Sequence, residues 1–225
     1  MKQAIVEFVD FLKSPQQSFR SKNKVWILAL CAILIFLVNI CSVVINLGYG
    51  YFRIDYPERV LTSSEEKYFL SHLLLVPIIE EMAFRLYLIP KKWNIFLSSV
   101  FVVWELYLMV ITGPESIIEY TLIHSLVSII VGTLICFSLY KILPRIQYSY
   151  LFYFSAIFFG SLHFNAFVYT DVSFFSLLYV LLVIILTSFV GVIFGYIRVS
   201  LGIVYSILFH FLLNFFPVMA AFDKL

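Results

Sequence analysis

Charge is what this 225-residue chain has least of. Asp, Glu, Lys and Arg make up 12% of it, where a soluble domain carries about a quarter. With 63% hydrophobic residues and a mean hydropathy of +1.02, the composition is that of a membrane protein. Cysteine is scarce too: Cys31, Cys41 and Cys136 lie in apolar segments without CxxC spacing. That excludes a disulfide framework and a cysteine nucleophile, and leaves them as small buried or lipid-facing side chains. No basic run with interleaved aromatics occurs, so nucleic acid is excluded as a partner. There is no HExxH spacing. Repeats, low-complexity tracts and linkers are also missing, so one compact membrane domain is expected. The N-terminus lacks the short apolar core and small-x-small site of a cleavable signal, and the first apolar run, from Val25, is expected to stay as an anchor.

What is present is a series of apolar runs. Seven approach or exceed the roughly 20 residues that cross a bilayer as helix; they cover about 25–47, 68–90, 93–112, 117–140, 148–168, 172–197 and 199–222. Backbone groups in hydrocarbon have no water to bond, and the runs are too long for barrel strands, so the predicted fold is all-α, a polytopic transmembrane helical bundle. Breaks are expected at Pro90-Lys91-Lys92, Gly113-Pro114-Glu115, Pro144-Arg145, Asn165 to Ser173, and Arg198-Val199-Ser200. Ahead of the bundle, Ile5, Phe8, Val9 and Leu12 can share one helical face among Lys2, Lys13, Arg20, Lys22 and Lys24. This reads as an amphipathic segment over residues 1–24, lying at the membrane surface before a membrane domain over 25–225, with a soluble tail as the alternative.

Lys91, Lys92, Lys141, Arg145 and Arg198 all fall on the side of residues 1–24. The opposite side receives Arg53, Arg59, Lys67 and Lys224, set among Asp55, Glu58, Glu65 and Glu66. The bias predicts a cytoplasmic N-terminus and an external C-terminus, with tyrosines at 49–56 and 148–153 as interfacial belts.

Against that apolar background, Glu80, Glu81 and Arg85 are conspicuous. An ionisable group at bilayer depth costs at least about 2.5–3.5 kcal/mol, so such groups normally face a cavity and work there. Glu81 and Arg85 are four apart and can pair on one helical face. Glu80 is rotated about 100° away, less neutralised and able to bind a proton or a water. A plain buried ion pair or a proton relay is the alternative for this group. His163, four residues after Phe159, is in isolation an interhelical hydrogen bonder. His210 and Asn214 are again four apart and aim two donors at one spot, which suits an oxyanion hole or helix–helix hydrogen bonding. From the assigned cytoplasmic ends, Glu80, His210 and His163 lie about 10, 11 and 15 residues in, a spread of about 7 Å at 1.5 Å per residue. Glu105 is a single carboxyl deep in the third run, expected to line the site or pair with His124. Glu119 and His72 lie nearer run ends, at headgroup depth.

Glu80-Glu81-x-x-x-Arg85, Phe159-x-x-x-His163 and His210-x-x-x-Asn214, in this order on separate apolar runs, resemble the CPBP family. That family comprises the CAAX-processing endopeptidases and the bacteriocin-processing or bacteriocin-immunity (Abi) proteins. The resemblance spans residues 80–214 and implies an intramembrane endopeptidase. Under it, Glu80 and His163 hold and activate the attacking water, Glu81 and Arg85 orient them, and His210 and Asn214 stabilise the oxyanion. The implied substrate is a membrane-bound or lipidated peptide, either a prenylated tail or a bacteriocin or signalling-peptide precursor. No cofactor is required in this reading. A zinc ion held by Glu80, His163 and His210 is the alternative, because three such ligands leave a position open for water. The rival from another class is a non-proteolytic membrane scaffold serving immunity or partner binding. A transporter would show repeat symmetry or broken helices, and the sequence has neither. The expected location is a cell membrane.

Overall fold

The computed structural model describes residues 1–17, 19, 23–51, 58–59, 71–107, 121–168 and 173–222. Among these, eight helices follow one another: α1 (Lys2–Lys13), α2 (Lys24–Tyr51), α3 (Val76–Arg85), α4 (Lys92–Tyr107), α5 (Thr121–Ile142), α6 (Tyr148–Leu162), α7 (Phe174–Ser200) and α8 (Ile203–Phe222). Among the described residues the fold is helical, apart from one two-residue antiparallel pairing of β1 (Glu58–Arg59) with β2 (Phe167–Val168). Helices occupy each of the seven apolar runs. Three stretches among the described residues, Lys24–Tyr49, Ile123–Arg145 and Phe174–Ser200, are long and apolar enough to cross a membrane, and Tyr148–Leu162 and Ile203–Phe215 are apolar but shorter. The chain is a membrane protein on this evidence. The expected break at Gly113-Pro114-Glu115, and the predicted positions of Arg53, Asp55, Glu65, Glu66, Lys67, Glu119 and Lys224, lie outside the described residues, as does the side chain of His72.

Short α3 is the hub, packing against α4, α6, α7 and α8. A π-helical turn over Ser71–Leu75 leads into it, and Pro77 falls in its first turn. Proline has no N–H to offer the preceding turn, so the regular helical ladder is interrupted where the π-helical turn ends. The last half of α7 is the other core element: Val190, Gly191 and every residue from Ile193 to Ser200 are buried. Around it, α6 runs along α7, α5 along α4, and α2 meets α7 at its start. There the Tyr49 hydroxyl donates to the Phe175 carbonyl (3.0 Å) and the Tyr179 hydroxyl to Asn46 Oδ1 (2.7 Å).

Two corrections to the sequence reading concern helix ends and faces. Arg198-Val199-Ser200 is not a break. The helix runs on to Ser200 and stops at Gly202, whose φ of 112° only glycine adopts freely. Arg198 is thus a buried helical residue rather than a loop charge. In α1 the inward face is Ala4, Phe8 and Phe11, with Ile5 and Val9 exposed. The Phe8 and Phe11 rings meet Tyr196 of α7 at 4.9 and 5.0 Å, and Phe11 meets Phe152 of α6 at 5.1 Å. The Tyr153 hydroxyl donates to the Leu12 carbonyl, which ties the end of α1 to α6.

Gly160 on α6 lets that helix press against α7. A Cβ there would stand 2.8 Å from the Ile184 carbonyl oxygen and 2.7 Å from the Ser188 nitrogen. Both are backbone atoms that cannot swing aside, and close approach through small residues is how membrane helices gain packing energy. Gly160→Ala is expected to destabilise the protein by about 1–3 kcal/mol. Thermal unfolding in detergent measures this, and an unchanged midpoint would show that the two helices separate without cost.

Candidate functional site

The end of α3 is secured before its acidic residues are. A helix terminus leaves its last carbonyls without partners, and no water is at hand inside a bundle. Three neighbours supply the missing donors. Ser98 of α4 donates to the Ala83 carbonyl, Ser155 of α6 to that of Phe84 (2.5 Å), and Arg198 Nε of α7 to that of Arg85 (3.2 Å). The Arg198 charge also opposes the negative end of the helix dipole. One short helix is thereby pinned by three others, and with it the residues of its last two turns.

Those residues are Glu80, Glu81 and Arg85, all buried together with His210 of α8. His210 lies between the two carboxyls: Nδ1 is 3.1 Å from Glu81 Oε1 and Nε2 is 3.2 Å from Glu80 Oε2. An imidazole carries at least one proton, and here both ring nitrogens face acidic oxygens. A nitrogen and a carboxyl oxygen 3.2 Å apart attract only when a proton is shared between Nε2 and Glu80. The imidazole is also stacked at 4.8 Å from the Phe194 ring and met edge-on by Phe159 at 5.9 Å, which fixes its plane.

Glu81 is the most heavily engaged carboxyl. Beside His210 on Oε1, its Oε2 accepts from the Ser206 hydroxyl and lies 3.8 Å from Arg85 Nε. At that distance Arg85 acts as a charge rather than a hydrogen-bond donor. None of its three guanidinium nitrogens has a hydrogen-bond partner among the described residues. Its centre instead lies 4.2 Å over the Phe159 ring, with Phe84 and Phe194 each at 5.9 Å. A cation–π contact of this desolvated kind contributes about 2 kcal/mol. Glu105 is buried on α4. His124 is buried against the rings of Trp104 (6.5 Å) and Tyr107 (4.5 Å).

His163 stands one ring away from this centre, at the end of α6. Its Nδ1 is 3.0 Å from the Phe159 carbonyl and its ring 5.0 Å from the Phe159 ring. A carbonyl only accepts, so Nδ1 carries the proton, which makes Nε2 the nitrogen able to take another. Asn214 is half-buried on α8, one turn beyond His210. The structure therefore joins Glu80, Glu81, Arg85 and His210 directly, and links His163 to them through Phe159.

Ser206, Ser98, Ser155 and Arg198 were missed by sequence reasoning. Ser206 had a readable signal, since it lies four residues before His210 and so shares its face. The others had none, being polar residues whose partners are set by tertiary packing.

Both nitrogens of His210 face carboxyls, and no group of three or more His, Cys, Asp or Glu side chains stands in metal-holding geometry among the described residues. Comparison with known proteins adds nothing to the geometry: no family model, no curated protein and no solved structure matches the chain.

Proposed function

We propose that this protein is an intramembrane endopeptidase of the CPBP type, hydrolysing a peptide bond in a membrane-bound or lipidated peptide with water activated by Glu80. The observation that supports it best is the buried Glu81–His210–Glu80 chain, with contacts of 3.1 and 3.2 Å. A carboxylate that orients an imidazole, whose other nitrogen meets a second carboxyl, is an arrangement for moving a proton. At rest the shared proton lies between His210 and Glu80. When substrate enters, it stays on His210, and Glu80 turns to the water as the base, aided by His163 Nε2. The water oxygen attacks the carbonyl carbon. His210 Nε2–H and Asn214 then face the developing oxyanion, and the departing amine receives the proton taken from water.

In this reading all seven apolar helices cross the bilayer and α1 lies at its surface. The N-terminus is cytoplasmic and the membrane is that of the cell. No metal takes part. Mass spectrometry of a lipidated-peptide library incubated with the protein in liposomes tests the proposal. Scission by the wild type, absent with His210→Ala, is the expected result. Intact peptides under every condition would count against it.

One observation favours a second reading. Both nitrogens of His210 are already satisfied by carboxyls, as in a lock that holds α3 to α8. A non-proteolytic scaffold used in immunity or partner binding would need no more than that. In that case His210→Ala loosens the fold with no catalytic activity to lose.

A further inference from the structure

Glu81 holds His210 only if Glu81 is itself held, and Arg85 at 3.8 Å leaves its carboxyl free to rotate. Among the described residues, the one short directional contact to Oε2 comes from Ser206, fully buried in the first turns of α8. Ser206 and His210 are four apart and grip opposite oxygens of the same carboxyl, Oε2 and Oε1. This is a two-point clamp made by one helix face on one side chain. The Ser206 oxygen also lies 3.2 Å from the Phe194 carbonyl, on the helix that carries the ring stacked on His210. A serine hydroxyl has a single proton, so the shorter contact to Glu81 takes it.

We propose that Ser206 is a positioning residue of the site. By donating to Glu81 Oε2 it turns Oε1 onto His210 Nδ1, and so keeps Nε2 directed at Glu80. It touches neither water nor substrate and acts only through Glu81. The inference concerns the order of the Glu81–His210 pair and rests on the endopeptidase reading for its kinetic consequence alone.

Two measurements test it, one independent of activity. In bilayers, the nitrogen-15 spectrum of the labelled histidines, with the His210 signals identified by their loss in His210→Asn, reports which ring nitrogen carries the proton. The wild type is expected to show one Nδ1-protonated population. Ser206→Ala is expected to show a mixture, and Ser206→Thr, which keeps the hydroxyl, to restore the single population. On a cleaved peptide, Ser206→Ala is expected to lower kcat by about 10- to 100-fold, the scale of one hydrogen bond to a charged group. KM should stay within about twofold, and Ser206→Thr should recover most of the rate. An unchanged His210 spectrum in Ser206→Ala would overturn the proposal, as would an unchanged kcat. If the wild type cleaves no peptide, the endopeptidase reading fails and the spectrum alone decides on Ser206. If Ser206→Ala does not fold, Ser206→Cys replaces it. As a weaker donor, Cys is expected to give an intermediate spectrum, and a wild-type spectrum from it would overturn the proposal.

Discussion

Arg85→Ala is expected to lower the stability of the detergent-solubilised protein by about 3–5 kcal/mol, the cost of breaking a buried ion pair from one side. Two losses combine. The guanidinium is the buried cation beside Glu81, and its removal leaves that carboxyl to His210 and Ser206 alone. It also fills space between the rings of Phe84, Phe159 and Phe194, which alanine vacates. For a chain of this size each kcal/mol moves the unfolding midpoint by about 2–4 °C, so a fall of roughly 6–20 °C is expected. Arg85→Lys should fall between, since an ammonium keeps the charge but lacks the planar face that covers Phe159. A midpoint within about 2 °C of the wild type for Arg85→Ala would mean that the pair carries no net stabilisation.

Glu80→Gln is expected to do the opposite, removing activity while sparing the fold. The amide keeps the shape of the side chain, and His210 retains Glu81 on its other nitrogen. What is lost is the group proposed to take the proton from water, and the expected fall in kcat is about 10²- to 10⁴-fold. Stability should change by less than about 1 kcal/mol, because one neutral hydrogen bond replaces another. Glu81→Gln forms the contrast. It removes the partner of Arg85 as well as the orienter of His210, so it should lower both stability and rate. A Glu80→Gln protein that cleaves at the wild-type rate would remove Glu80 from the chemistry. The same result in Glu81→Gln would leave the clamp without a function.

The centre of the site was legible because its chemistry is local in sequence. Glu80, Glu81 and Arg85 stand out in an apolar run, and four-residue spacing put Glu81 with Arg85. The direct Glu81–His210 contact was not legible, because it depends on how α3 crosses α8. Ser98 and Ser155 look like any serine in an apolar helix until a carbonyl is placed opposite them. Arg198 was misread as a loop charge because basic residues often end membrane helices. The true end is set four residues later by Gly202, and burial of Arg198 is offset by its bond to the Arg85 carbonyl. In α1, two apolar faces compete in the sequence. The aromatic contacts with Tyr196 and Phe152 decide for Phe8 and Phe11, and no periodicity carries that information.

The most direct test of glutamate-driven hydrolysis is the rate at which the wild type in liposomes cleaves a quenched lipidated peptide, measured beside Glu80→Gln, with and without chelator. The account predicts cleavage by the wild type that chelator leaves intact, and loss of cleavage in Glu80→Gln protein that remains folded. Cleavage that chelator abolishes and zinc restores, or cleavage by Glu80→Gln at the wild-type rate, would contradict it.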